Sequence, residues 1–285
     1  MRLRAARKTS GLSRAWLLIL CAAGLIAARP HGRRARPPAL SAMQIVERAL
    51  AAQRASARAL EHYAWQERDR SYRLNDAGKI IKTLSDVTHQ VNPFHGVHLS
   101  FPIAINGKPL NAQQQASLAR AKAKFFKQLT PARLARIRQG VQHAQNQLQK
   151  LEAAIPQAFE LRLAGERSEG GRQVYIVQAT PNPGYRAPND NLRMLRHLAG
   201  TLWIDRRTFA LARARVHVLQ AISFDWGLGQ LEAGSRIVYS RAPVDKYWFP
   251  QSLTLKLTIR KFYLEHLHRE NLQDYFNYAR ARGTR

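Results

Sequence analysis

The run Gly200-Thr-Leu-Trp-Ile-Asp-Arg-Arg-Thr-Phe-Ala-Leu-Ala-Arg-Ala-Arg-Val-His-Val-Leu-Gln-Ala-Ile222 constrains the fold more than any other part of this chain. Leu202 and Ile204 fall on one face of an extended segment, with Thr201, Trp203 and Asp205 on the other. Asp205 to Thr208 is polar enough to turn the chain. A second segment follows, in which Leu211, Arg213, Arg215, His217 and Leu219 alternate with Ala212, Ala214, Val216, Val218 and Gln220. This period-two patterning predicts an antiparallel hairpin within a large meandering sheet that has one apolar face.

A chain of 285 residues with 45% hydrophobic content can bury a sizeable core, which excludes global disorder. Its net charge is +28. Nine basic residues lie in positions 1–42, where there is no acid, leaving 37 basic against 18 acidic residues and a net +19 in the rest. The first thirteen residues form a basic lead, and Ala15 to Ala28 is an apolar run of fourteen. That is short of the roughly twenty residues needed to span a bilayer and fits a secretory signal peptide. The cut is expected after Ala28 or after Ala42, and an uncleaved anchor is the competing reading. Cys21 is the only cysteine and lies in this segment, preceded by Leu20 where a lipoprotein signal would carry a small residue. Removal of the segment leaves no disulfide, thiol nucleophile or thiolate ligand.

Residues 29–40 read as a basic, proline-bearing linker. Ser41 and Gln44 form a capping box for an amphipathic helix over about 41–62, carrying Met43, Val46 and Leu50. Tyr63–Leu74 and Lys79–Val91 are predicted strands around an Asn75–Gly78 turn. Pro93 to Pro102 reads as interrupted, and Asn106-Gly107 as a hairpin turn. The character changes over 111–155, a basic helical insertion in two parts. Thr130 caps its second helix, with Pro131 at the first helical position and Pro156 at its end. Strands resume with Phe159–Leu163 and Val174–Val177 across Gly170-Gly171, then Ser235–Arg241, Trp248–Tyr263 and Leu264–Tyr278. Leu253, Leu255, Leu257 and Ile259 alternate most clearly.

The segments Ala179–Tyr185, Gly200–Asp205, Ile222–Leu228 and Tyr247–Pro250 resemble exported bacterial proteins of the outer-membrane lipoprotein-sorting type. Those proteins are similar in architecture to the periplasmic lipoprotein carriers LolA and LolB. The resemblance covers most of 43–285 and implies an α+β fold, mainly antiparallel β. Its form is a curved, incomplete β-barrel covered by an N-terminal helix and a helical insertion, with 41–285 as one domain. It also implies a periplasmic or envelope location and an apolar cavity that holds an acyl chain of a lipid or lipoprotein. The long basic insertion departs from the carriers, and no arginine here matches a carrier's key arginine.

Candidate cavity-lining residues are Trp65, Trp203, Phe224, Trp226, Trp248, Leu253, Leu255, Leu257 and Ile259, the competing reading being ordinary sheet core. The basic surface suits anionic membrane head groups better than nucleic acid, for which no motif is present. His95/His98 and His266/His268 with Glu270 are close pairs that read as exposed histidines, so no metal is expected. There is no Gly-x-Ser-x-Gly, His-Glu-x-x-His or Walker A pattern, so no catalytic residue or cofactor is assigned and an enzyme is not expected. The alternative function is a scaffold or sensor that binds a protein partner on the same concave face.

Overall fold

Residues 40–224, 229–261 and 265–281 are described by the computed structural model, with Phe224 and Lys261 described by backbone only. The expected signal segment, most of the linker and Trp226 lie outside the described residues.

Local chemistry sets the first helix. Ser41 Oγ accepts from the Gln44 N–H while Gln44 Oε1 accepts from the Ser41 N–H, closing the capping box of α1 (Ala42–Leu60). Its apolar stripe of Ile45, Val46, Ala49 and Leu50 is buried. Two long strands follow, β1 (Tyr63–Leu74) and β2 (Ile80–Phe94). The region read as interrupted is instead a tight hairpin. His95 and Gly96 take positive φ, as a two-residue primed turn requires, and β3 (Val97–Ile105) starts at once. Asn106 and Gly107 repeat that geometry into the short β4 (Lys108–Pro109).

The insertion is two helices, α2 (Ala112–Lys127) and α3 (Pro131–Ala158). Thr130 Oγ1 accepts from the Arg133 N–H at 3.2 Å, and Pro131 sits at the first helical position as predicted. Pro156 does not end α3, which runs on to Ala158. A proline this close to the terminus removes one helical hydrogen bond where the chain is about to leave the helix.

The C-terminal half supplies β5 (Phe159–Glu169), β6 (Arg172–Pro181), β7 (Leu198–Asp205), β8 (Leu211–Val218), β9 (Ile222–Phe224), β10 (Gly229–Leu231), β11 (Arg236–Val244), β12 (Tyr247–Lys261) and β13 (Glu265–Arg280). A short helix α4 (Asp190–Arg193) and a 3-10 turn interrupt the β6–β7 connection. Strand order is β4-β3-β2-β1-β13-β12-β11-β8-β7-β6-β5, with β10 attached to β12 and β9 to β10. The paired strands are antiparallel.

The sheet is curved and unclosed. Its edge strands β4 and β5 do not pair, and the chain passing between them is α2–α3. Arg138 of α3 donates from Nε to the His95 carbonyl beside β3, while Ala158 runs straight into β5. Twenty helical residues span about 30 Å. The path from β3 to β5 along the sheet is nine strand spacings, about 43 Å. Only a bent sheet brings both edges to one helix. Helix α3 therefore straps the open side, and α1 fills the concavity against β5 to β8 and β12. Among the described residues no helix is long and apolar enough to cross a membrane.

One register feature corrects the period-two reading. Trp203 pairs with Arg213 but Ile204 pairs with Leu211, so Ala212 is a bulge. The extra residue moves Leu211 from the arginine face to the apolar face, where it is buried with Ala214, Val216 and Val218.

Gly200 shows how closely β7 and β8 approach. A Cβ there would meet the Arg215 carbonyl oxygen at 2.8 Å, and that atom is backbone. Gly200→Ala is expected to cost about 1–3 kcal/mol by forcing the strands apart. Gly140, inside exposed α3 with nothing within 4 Å of an added Cβ, is expected to change in the opposite direction. Gly140→Ala should stabilise by up to about 1 kcal/mol. Urea denaturation of both variants checks this, and equal midpoints would show that the β7–β8 contact has slack.

Candidate functional site

The concave face has two halves of different chemistry. The first lies under α1. Val46, Ala49, Leu50 and Gln53 from α1, Ile155 from α3, Leu202 and Ile204 from β7 and Leu211 from β8 enclose a slot of about 40 Å³. Its walls are apolar except for Gln53, whose Oε1 is buried with no hydrogen-bond partner. Sites for small organic ligands usually offer upwards of about 300 Å³. The slot as it stands holds no more than a water or two.

Full burial in the strap is confined to one end. Residues buried in α3 are Glu152, Ala154 and Ala158, all in its last two turns, and α2 has none. Glu152 Oε2 accepts from Arg54 Nε of α1 at 3.3 Å; the glutamate is 6% exposed and the arginine 42%. Toward the other end, Phe125 and Phe126 meet Phe101, Phe126 also meets Phe94, and Phe126 remains 43% exposed. Residues 112–158 carry eight basic side chains and one acid, the buried Glu152. The exposed face of the strap is thus uniformly cationic.

The second half of the concave face, over β1, β2 and β13, is polar. Register places Glu67 opposite Tyr275, Asp69 opposite Gln273 and Ser71 opposite Asn271, all on the face that carries Trp65 and Tyr275 into the core. Burial pushes the Tyr275 hydroxyl well above the usual tyrosine range, and Glu67, Tyr239 and Asp69 add to the shift. That hydroxyl donates to Gln273 Oε1 at 2.9 Å. The outer face of the same strands is laced by ion pairs. Arg68 holds Asp86 in a two-point bond of 2.8 and 2.7 Å, and keeps its carboxyl below the usual range.

The sequence-predicted cavity residues are distributed as follows. Leu253, Leu255 and Leu257 are buried beneath α1, at 1%, 2% and 7% exposure, and Ile259 packs partly against the same core. Trp65 belongs to that core too, with the His98 ring 4.6 Å from its own. Trp203 faces the other way, under the guanidinium groups of Arg213 and Arg215 at 5.3 and 5.7 Å. Trp248 is buried with Arg172 5.2 Å over its ring, and its backbone N–H donates to Ser56 Oγ of α1. Only the backbone of Phe224 is described, and Trp226 lies outside the described residues. Four of the nine, Trp65, Leu253, Leu255 and Leu257, thus share the inner core, while the slot itself is lined by α1, Ile155, β7 and β8. The missed lining residues carried two signals, the helical stripe Val46/Leu50 and the strand face Leu202/Ile204, both of which sequence reading took as ordinary amphipathicity. His266 and His268 meet different carboxylates: His266 lies 3.2 Å from Glu232, and His268 lies 3.4 Å from Asp76.

No protein-family model matches the chain, and no curated protein matches it. Among solved structures it is similar to a DUF1329 family protein from Desulfovibrio piger, at 11% identity over 83% of this chain and 95% of that one, with a TM-score of 0.30. It is also similar to a LolA superfamily protein from Nitrosomonas europaea, at 9% identity over 87% and 96%, with a TM-score of 0.28. A third similarity is to the MucA/MucB complex structure of Pseudomonas aeruginosa, at 9% identity over 82% and 94%, with a TM-score of 0.22. The second belongs to the group that the sequence segments resemble. At TM-scores of 0.30 and below the superpositions are loose, and what this chain binds has to be read from its own geometry.

Proposed function

We propose that the protein is a non-enzymatic binding protein of the cell envelope that takes an acyl chain of a lipid or lipoprotein between α1, α3 and the β7–β8 hairpin. The observation that carries this reading is the apolar slot under α1, one wall of which is Ile155 on a strap buried only in its last two turns. In the closed form the slot is too small for a chain, so binding requires α3 to lift. Each methylene then buried contributes about 0.8 kcal/mol. The cationic face of α2–α3 suits an anionic head group left at the rim. The Arg54–Glu152 pair is the latch, because it joins the buried end of the strap to α1.

Glu152→Gln is expected to weaken that latch by about 1.4 kcal/mol, a tenfold shift toward the open form. Uptake of a fluorescent fatty acid, followed by stopped flow, should speed up by a similar factor. Native mass spectrometry of wild type from a bacterial periplasm should show a co-purified acyl species. A clean apo mass, together with no uptake by wild type or Glu152→Gln, sinks this reading.

A second reading is favoured by the slot's small volume. With the interior filled, the same face and the cationic strap would serve a protein partner and carry no lipid. Cross-linking in envelope extracts, in protein that takes up no fatty acid, would move the assignment there.

A further inference from the structure

We infer that Glu67, Asp69 and His89 form a binding site for one divalent cation of the zinc class on the polar half of the concave face. The strands bring these groups together from positions that no sequence motif links. Glu67 and Asp69 are two apart on β1 and share a face. The β1–β2 register puts His89 directly opposite Glu67. One ligand atom from each of the three lies within 4.8 Å of the others.

A second observation points to a missing partner. Asp69 Oδ1 and His89 Nδ1 are both buried, and neither makes a hydrogen bond. His89 Nδ1 lies 3.5 Å from Asp69 Oδ2, too far for a good bond. Buried polar atoms in native proteins are nearly always paired. Among the described residues Asp69 makes no lysine or arginine ion pair, and the charged group beside it is His89. A cation between the three groups would satisfy both orphaned atoms at once.

The donor set decides the class. Two carboxylates and one imidazole suit zinc and its borderline neighbours, while calcium and magnesium prefer oxygen alone. Zinc at bond lengths of about 2.0–2.2 Å holds tetrahedral ligand atoms roughly 3.4 Å apart. The strands are fixed by the ladder, so closing from 4.8 Å to that spacing falls to side-chain rotation. Three protein ligands leave a tetrahedral zinc one further position, which water or an anionic ligand would fill.

The test uses the untagged full chain, stripped with a chelator and titrated with zinc chloride against a chromophoric chelator. One equivalent is expected to bind. Asp69→Asn and His89→Gln should each weaken binding by about tenfold or more. Changing His266 and His268 to Gln together should leave it unchanged. X-ray absorption on zinc-loaded wild type supplies a readout independent of whether any variant folds: one imidazole with oxygen ligands is expected. A two-imidazole shell overturns the site, as does binding that survives His89→Gln unweakened. No binding at about 100 µM zinc leaves only a His89–Asp69 ion pair and also overturns it.

Discussion

Leu255→Asp is expected to abolish folding. Leu255 is 2% exposed at the centre of β12, with Ile237 of β11 on one side and Asn271 of β13 on the other. It lies in the same core as Ile45, Val46 and Leu50 of α1. A carboxylate there would be buried in the apolar core, and the cost exceeds about 5 kcal/mol, comparable with the whole stability of a typical domain. Leu255→Ala, which removes volume without adding charge, should cost about 2–5 kcal/mol and leave a folded protein. Far-ultraviolet circular dichroism with urea titration checks both. If the Asp variant folds with a near-normal midpoint, Leu255 faces water or a ligand space, and the acyl chain belongs along β12.

Asp205→Ala is expected to be the most damaging change outside the apolar core. Asp205 is 2% exposed at the end of β7. Its Oδ1 accepts from the N–H of Arg207 at 3.1 Å, the N–H of Thr208 at 2.8 Å and the hydroxyl of Thr208 at 2.8 Å. Its Oδ2 lies 3.5 Å from Arg172 Nη1, the arginine that also covers Trp248. Alanine would strand two backbone donors inside a turn that also holds Phe209 at positive φ. The expected loss is about 2–4 kcal/mol. Asp205→Asn keeps an acceptor oxygen and should lose less than half as much. Thermal unfolding of the pair decides it: equal losses would place the energy in the Arg172 ion pair, and no loss in either would show that water replaces the carboxylate.

The caps and turns were legible in the sequence because their energies come from residues within four positions of each other. Ser41 with Gln44, Thr130 with Pro131 and Asn106 with Gly107 each satisfy backbone groups locally. Asp205 as the turn-starting residue belongs with them. Strand alternation was equally readable. It placed Trp203 opposite Leu202 and Ile204, the arrangement that puts Trp203 under Arg213 and Arg215 and away from the slot. Where alternation failed, at Ala212, a bulge had inserted one residue, and a bulge is a property of two strands in register.

Everything concerning the site was decided by contacts between distant segments. Whether Leu253 and Leu255 line a space or fill one depends on how deeply α1 settles against β12, and no stretch of either segment records that depth. Arg54 meets Glu152 across 98 residues because α3 straps the two sheet edges. Glu67, Asp69 and His89 meet because β1 and β2 pair in one register; a one-residue slip would turn His89 to the opposite face. By itself the sequence determined most of the strands, helices and caps, but it missed the tight hairpin between β2 and β3. Only the tertiary structure decided what faces the concavity, because that follows from inter-strand register and helix seating, which are set by packing over the whole sheet.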